Sequence, residues 1–115
     1  MWKKTPTRQK ALVSRGELPN AVAPSAAVTA TDVYFTWTNN TGTGTAQATD
    51  NAVLVAYCKE LNQAVFTTTS TTRSTGSGTL NVASFTGQAI ETWIAFLSAD
   101  GTISSNSLFT GELTV

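Results

Sequence analysis

Histidine is absent from this 115-residue chain, and cysteine occurs once. Without an imidazole the chain has no ordinary general base at neutral pH and no Ser-His or Cys-His nucleophile pair. A single cysteine forbids an intrachain disulfide, and with no histidine beside it too few ligands remain for a structural zinc site. Cys58 falls in an apolar run and reads as a small buried hydrophobe. Charge is scarce too: Asp, Glu, Lys and Arg make up 12% of the chain, about half the usual share. No apolar stretch approaches the ~20 residues of a membrane helix. No apolar segment follows Lys3 and Lys4 as a secretory signal would require, so no export signal is expected.

Hydroxyls stand where charges usually do. The chain holds 22 Thr and 10 Ser, and threonine suits a half-buried pleated surface better than a helix. Hydrophobic residues reach 41%, enough for one core in one domain. The formal charge is zero but unevenly spread. Lys3, Lys4, Arg8, Lys10 and Arg15 crowd the first fifteen residues, while the rest carries Lys59 and Arg73 against seven acids, a net of 2 − 7 = −5. We read residues 1–10 as a basic extended arm and 11–115 as a single domain.

Period-two alternation dominates that domain. Ala11 to Leu18 reads as a first strand, ending at the turn pair Pro19-Asn20, and Pro24 marks an edge position in the bland stretch from Ala21 to Ala30. Val33, Phe35 and Trp37 alternate with Tyr34, Thr36 and Thr38. Ala52 to Cys58 is apolar at both parities, as expected of a central strand. A turn at Lys59 to Asn62 leads into Gln63 to Thr68, while Thr69 to Gly78 reads as a loop or a frayed edge strand around Arg73. Leu80 and Val82 are candidate core positions. Ala89 to Ser98 sets Ile90, Ile94 and Phe96 against Trp93, Ala95 and Leu97 before the hairpin signal Asp100-Gly101. Strict alternation then places Phe109 with Leu113 and Val115, and Leu108 opposite. Together with Trp37, Trp93, Phe85 and Phe96, Phe109 is assigned to the core, since a small domain needs every large side chain. About seven short antiparallel strands predict an all-β sandwich.

Two resemblances accompany this reading. Trp93 to Gly101, followed by Ser104-Ser105-Asn106-Ser107, resembles the last two strands of fibronectin type III domains, and Val33 to Thr38 resembles their second strand. That implies an immunoglobulin-like sandwich, with Trp93 standing where the family usually places a corner tyrosine. Leu12 to Pro19, Phe35 to Asn40, Ala52 to Tyr57, Ala95 to Gly101 and Asn106 to Gly111 together resemble the C-terminal part of an uncharacterised bacterial family of unknown function. Members of that family carry a longer, basic, glycine-rich N-terminal region. The resemblance implies no activity, ligand or cofactor.

Chemistry-bearing patterns are thin. Gly42-Thr43-Gly44 lacks the ending of a phosphate loop. Asp32, Asp50 and Asp100 read as strand-edge and turn residues and Glu91 as solvent-facing, so no acid pair of the glycosidase kind is expected. Asp50-Asn51 near Asn39-Asn40 has no calcium-loop spacing. The chain is therefore expected not to be an enzyme and to need no cofactor or metal. The expected role is a binding or structural module that presents loops or an edge strand to a protein partner, as part of a larger cell-surface or phage-associated assembly. The candidate contact residues are Asn39, Asn40, Thr41, Asp50 and Arg73 in the loops, Tyr34, and Trp2, Lys3 and Lys4 in the arm. The five positive charges of the first fifteen residues suit an acidic partner or a sister copy better than nucleic acid, because that stretch has no interleaved aromatics. The alternative is a carbohydrate-binding module using Tyr34, Trp2 and Phe66. An extracellular or virion-associated address fits either reading.

Overall fold

The computed structural model describes residues 18–68 and 70–115. The expected arm, with Trp2, Lys3 and Lys4, and all but Leu18 of the first expected strand lie outside them. The described residues form an all-β sandwich of seven strands, as expected: β1 (Val22–Thr29), β2 (Asp32–Thr38), β3 (Asn51–Cys58), β4 (Gln63–Thr67), β5 (Ser77–Asn81), β6 (Ala89–Leu97) and β7 (Leu108–Thr114). Every strand pairing is antiparallel, in one sheet of order β1-β2-β5 and a second of order β4-β3-β6-β7. No helix among the described residues is long and apolar enough to cross a membrane.

The alternation in β2 does what a pleated strand requires. Val33, Phe35 and Trp37 enter the space between the sheets, while Tyr34 and Thr38 face out. From the facing sheet come Leu54, Ala56 and Cys58 of β3 and Ile90, Ile94 and Phe96 of β6. Leu80 and Val82 are buried as the sequence suggests, and Phe85, on a single 3-10 turn, closes one end. The Trp37 and Phe96 rings meet edge to face, centroids 5.7 Å apart at 77°.

Strict alternation fails in β7. Thr92 pairs with Gly111 but Trp93 with Phe109, so Thr110 is an extra residue and the strand bulges there. Gly111 adopts φ +132°, a conformation that L side chains resist. The bulge flips the parity. Leu108 joins Leu113 and Val115 against the core, and Phe109, assigned to the core from sequence, stands outside with 41% of its surface exposed. Trp93 is buried as expected but on the other side of its sheet, away from Trp37, Phe85 and Phe96.

The segment around Arg73 also differs from expectation. It is neither a frayed strand nor an open loop. Thr72 bridges Asn51, Arg73–Thr75 forms a 3-10 turn, and β5 begins at Ser77. Thr71 tucks under it, its hydroxyl donating to the Ser77 carbonyl at 2.6 Å. That fold-back leaves no room above Gly78, where a Cβ would sit 2.5 Å from Thr71 Cγ2 and 3.1 Å from Leu54 Cδ1. Gly78→Ala is therefore expected to lower stability by about 1–3 kcal/mol, the usual cost of overpacking. A urea titration monitored by tryptophan fluorescence measures it, and an unchanged midpoint would contradict this packing.

Candidate interaction surfaces

Asp50 and Arg73, taken from sequence as loop residues available to a partner, are both buried completely. Neither side chain is exposed as the loop reading expected. The arginine lies at the end of the sandwich where three chain segments converge. Its Nε donates to Asp50 Oδ2 at 2.9 Å, and Nη2 lies 2.9 Å from the same oxygen. Nη1 donates to Asn40 Oδ1 at 2.8 Å and Nη2 to the Pro19 carbonyl at 3.1 Å. The guanidinium carbon rests 4.1 Å from the centre of the Phe96 ring, a cation–π contact. The backbone closes the same circuit. Arg73 N–H donates to the Asp50 carbonyl at 2.8 Å, and the Arg73 carbonyl accepts from Trp37 Nε1 at 2.9 Å.

This arrangement also fixes the long loop between β2 and β3. Asn40 is held on both sides, its Nδ2 donating to the Asn20 carbonyl at 3.2 Å. Gln47 N–H donates to Asp50 Oδ2 at 2.9 Å. Only Asn39 and Thr41 of the candidate loop residues are exposed, and the Thr41 N–H donates to Asn39 Oδ1 at 3.0 Å in a local turn. Truncating one partner of a buried ion pair strands the other, at about 3–5 kcal/mol. Arg73→Ala is expected to destabilise by that amount in chemical denaturation. Arg73→Lys, which keeps the charge and loses the fork, should recover only part of it. A loss under about 1 kcal/mol for Arg73→Ala would refute the role given to this pair.

An open hollow lies beside the lock, lined by Gly44, Gln47, Thr49, Ser98, Asp100 and Ile103. Its chemistry is occupied with itself. Ser98 Oγ and Thr102 Oγ1 each donate to Asp100 Oδ1 at 2.7 Å, and Thr102 N–H donates at 3.1 Å. These bonds, the Ser98 hydroxyl first, lower the Asp100 pKa from 3.8 to about 2. A depressed carboxylate pKa adds stability that is complete above the unfolded value and disappears as pH falls through the folded one. The thermal midpoint of the native chain should therefore exceed that of Asp100→Asn near neutrality. The gap should narrow between 3.8 and about 2; a pH-independent gap would contradict the assignment. Among the described residues no three His, Cys, Asp or Glu side chains gather to hold a metal ion.

The two sheets differ on their outward sides. The three-stranded sheet shows polar groups: Ser25 Oγ and Thr36 Oγ1 share a hydrogen bond of 2.7 Å, and Asn81 Nδ2 donates to Asp32 Oδ1 at 3.2 Å. Tyr34 stands exposed among them. The four-stranded sheet instead shows carbon. Its registers set Phe66, Val55, Trp93 and Phe109 in one row across all four strands. Trp93 and Phe109 touch, with ring centroids 5.5 Å apart, and Val53 and Tyr57 pack against the Val55–Trp93 pair. The neighbouring row runs Tyr57, Glu91, Glu112. Sequence reasoning missed this face. The signal was present in β3 and β6, which are apolar at both parities; in an antiparallel sandwich that announces a second apolar surface as well as a central position.

The edges differ as well. β1 is interrupted by a register shift between Val22 and Ser25, with Pro24 inside it and Ala23 at φ +51°. β7 carries its bulge. β4, which ends its sheet among the described strands, pairs with β3 through five residues in unbroken register. It holds no charge and no proline, and its Phe66 is 66% exposed.

Residues 7–111 match the model of a family of unknown function, DUF6266. No curated protein and no solved structure gives a significant match.

Proposed function

We propose that this chain, which belongs to the DUF6266 family, is a non-catalytic module that binds a protein partner by accepting an extended segment at the β4 edge. The exposed edge itself carries the reading. Natural sheets blunt such edges with charges, prolines or bulges, and β1 and β7 here have such devices while Gln63–Thr67 has none. An added strand would take its affinity from the main chain and its specificity from alternate side chains, with Phe66 as the exposed anchor. We assign the sandwich to the immunoglobulin-like and fibronectin type III-like group. The first, second and fifth strands share one sheet and the third, sixth and seventh the other, as in that group, while β4 pairs with β3. The hydroxyl-rich, charge-poor composition supports a place in a larger cell-surface or phage-associated assembly.

A displayed library of extended peptides, panned against the full chain, tests the edge. The expected result is enrichment of apolar, strand-forming peptides whose affinity falls at least about tenfold in Phe66→Lys, about 1.4 kcal/mol. Enriched peptides indifferent to Phe66→Lys would move the site elsewhere, and the absence of any would overturn the reading. The exposed Tyr34, on a face rich in hydroxyls, supports the carbohydrate-binding alternative. Glycan-array binding abolished by Tyr34→Ala would favour it over the edge.

A further inference from the structure

A strand edge without blunting devices pairs with whatever extended chain it meets, so natural sheets either protect such an edge or use it. Among the described strands β4 pairs on one side only, with β3. In an antiparallel ladder alternate residues turn their N–H and C=O groups to opposite neighbours. Every second residue of β4 therefore directs its main-chain groups away from β3. Ala64 and Phe66 lie on the outward face and are both exposed, while Val65 between them packs against the core.

We infer that the strand this edge accepts is β4 of a second copy of the chain, paired antiparallel about a twofold axis at Val65. The inference rests on the reading of β4 as a strand-accepting edge and names its partner. Three observations select it. First, Gln63–Thr67 is complementary to itself in that register. Val65 meets its own counterpart, Gln63 meets the second copy's Thr67, and Phe66 meets the second copy's Ala64, a large side chain over a small one on both sides of the axis. The two Phe66 rings then sit on the diagonal, about 7–8 Å apart and within reach of each other. Whichever alternate set of residues points outward, the register gives roughly four to six main-chain hydrogen bonds. Second, no charge meets a like charge. Outside its first fifteen residues the chain has a net of 2 − 7 = −5, which repels a second copy, but Leu61 to Thr72 carry no charge at all. Third, the pairing is closed. It uses both β4 edges completely, and the joined sheet ends in each copy on β7, where the bulge at Thr110 interrupts the ladder. Growth stops at two copies.

Sedimentation equilibrium of the full chain from about 1 µM to about 1 mM tests the association, because so short an edge makes a small interface of modest affinity. The mass is expected to rise to that of two copies and no further. Phe66→Lys, which sets two cations on the diagonal, should weaken the dimer at least about tenfold. Two further variants read the register. In a mixture of Gln63→Cys and Thr67→Cys chains, mild oxidation should couple one of each, because those positions face each other across the seam. Either variant alone should stay uncoupled, its two new thiols lying about 13 Å apart or more, too far for a disulfide. The native chain, whose Cys58 is buried, is the uncoupled control. A chain that stays monomeric throughout the range would overturn the inference. So would a dimer indifferent to Phe66→Lys, masses beyond two copies, or equal coupling in the single-variant samples. A monomer that still captures extended peptides through Phe66 would sink the second copy alone and leave the strand-accepting edge standing.

Discussion

A guanidinium sealed inside the end of the sandwich sets the form of everything around it. Arg73 makes four side-chain contacts, two with Asp50 and one each with Asn40 and the Pro19 carbonyl, and stacks on Phe96. Those partners lie 23, 33 and 54 residues away for Asp50, Asn40 and Pro19. Replacing such a pair with well-packed hydrophobes is often neutral, so its contribution is better located in position than in net stability. A planar fork of five donors can hold three segments in one relative placement, which a lysine cannot. The entry to β1, the loop after β2 and the turn before β5 are all set by it. One Asp50 oxygen, Oδ1, is buried without a hydrogen-bond partner. The lock therefore carries a desolvation cost that Oδ2, with its several donors, offsets.

The second organising feature is the inequality of the two sheets. The three-stranded sheet is what an antiparallel layer ordinarily is, apolar inward and polar outward. The central strands of the four-stranded sheet are apolar on both sides, a composition usual in sheets covered on both faces. The β7 bulge serves this arrangement directly. Were Thr110 paired as a regular strand residue, with no bulge, Phe109 and Leu113 would share a side and one of them would be lost to the wrong layer. With it, Leu108, Leu113 and Val115 close the core while Phe109 meets Trp93 outside. Thr110 is itself used, its Oγ1 sharing a 2.6 Å hydrogen bond with Thr92.

How much of this was legible depended on whether the information was local. The alternation Val33-Phe35-Trp37, the both-parity run from Ala52 to Cys58 and the turn at Asp100-Gly101 are short-range signals, and strands β2, β3 and β6 and their connections follow from them. Phe109 was misplaced because a one-residue bulge shifts parity without leaving a periodic mark; the one hint was Gly111. Arg73 and Asp50 were misplaced for a different reason. A lone arginine among Ser, Thr and Gly reads as solvated, since buried charges are rare, and its partners are fixed only by the closure of both sheets. The outward face was legible in part: Val53, Val55 and Tyr57, like Trp93 and Ala95, already stood on the parity opposite the core.

Under the function proposed above, these two features would move recognition away from the place where a sandwich usually carries it. Loops at the ends of a rigid scaffold serve recognition because their backbones are free to vary. Here the longest loop is tied down at Asn40 and Asp50, and the Asp100 turn satisfies its own carboxylate with Ser98 and Thr102. In the proposed reading the outer side of β4, an edge among the described strands, would offer main-chain groups, and the carbon row beside it would add area that hydrogen bonds alone would not. Affinity for an extended partner would then come from backbone pairing extended onto an apolar face, and a change that loosened the loops would damage the fold before it altered recognition.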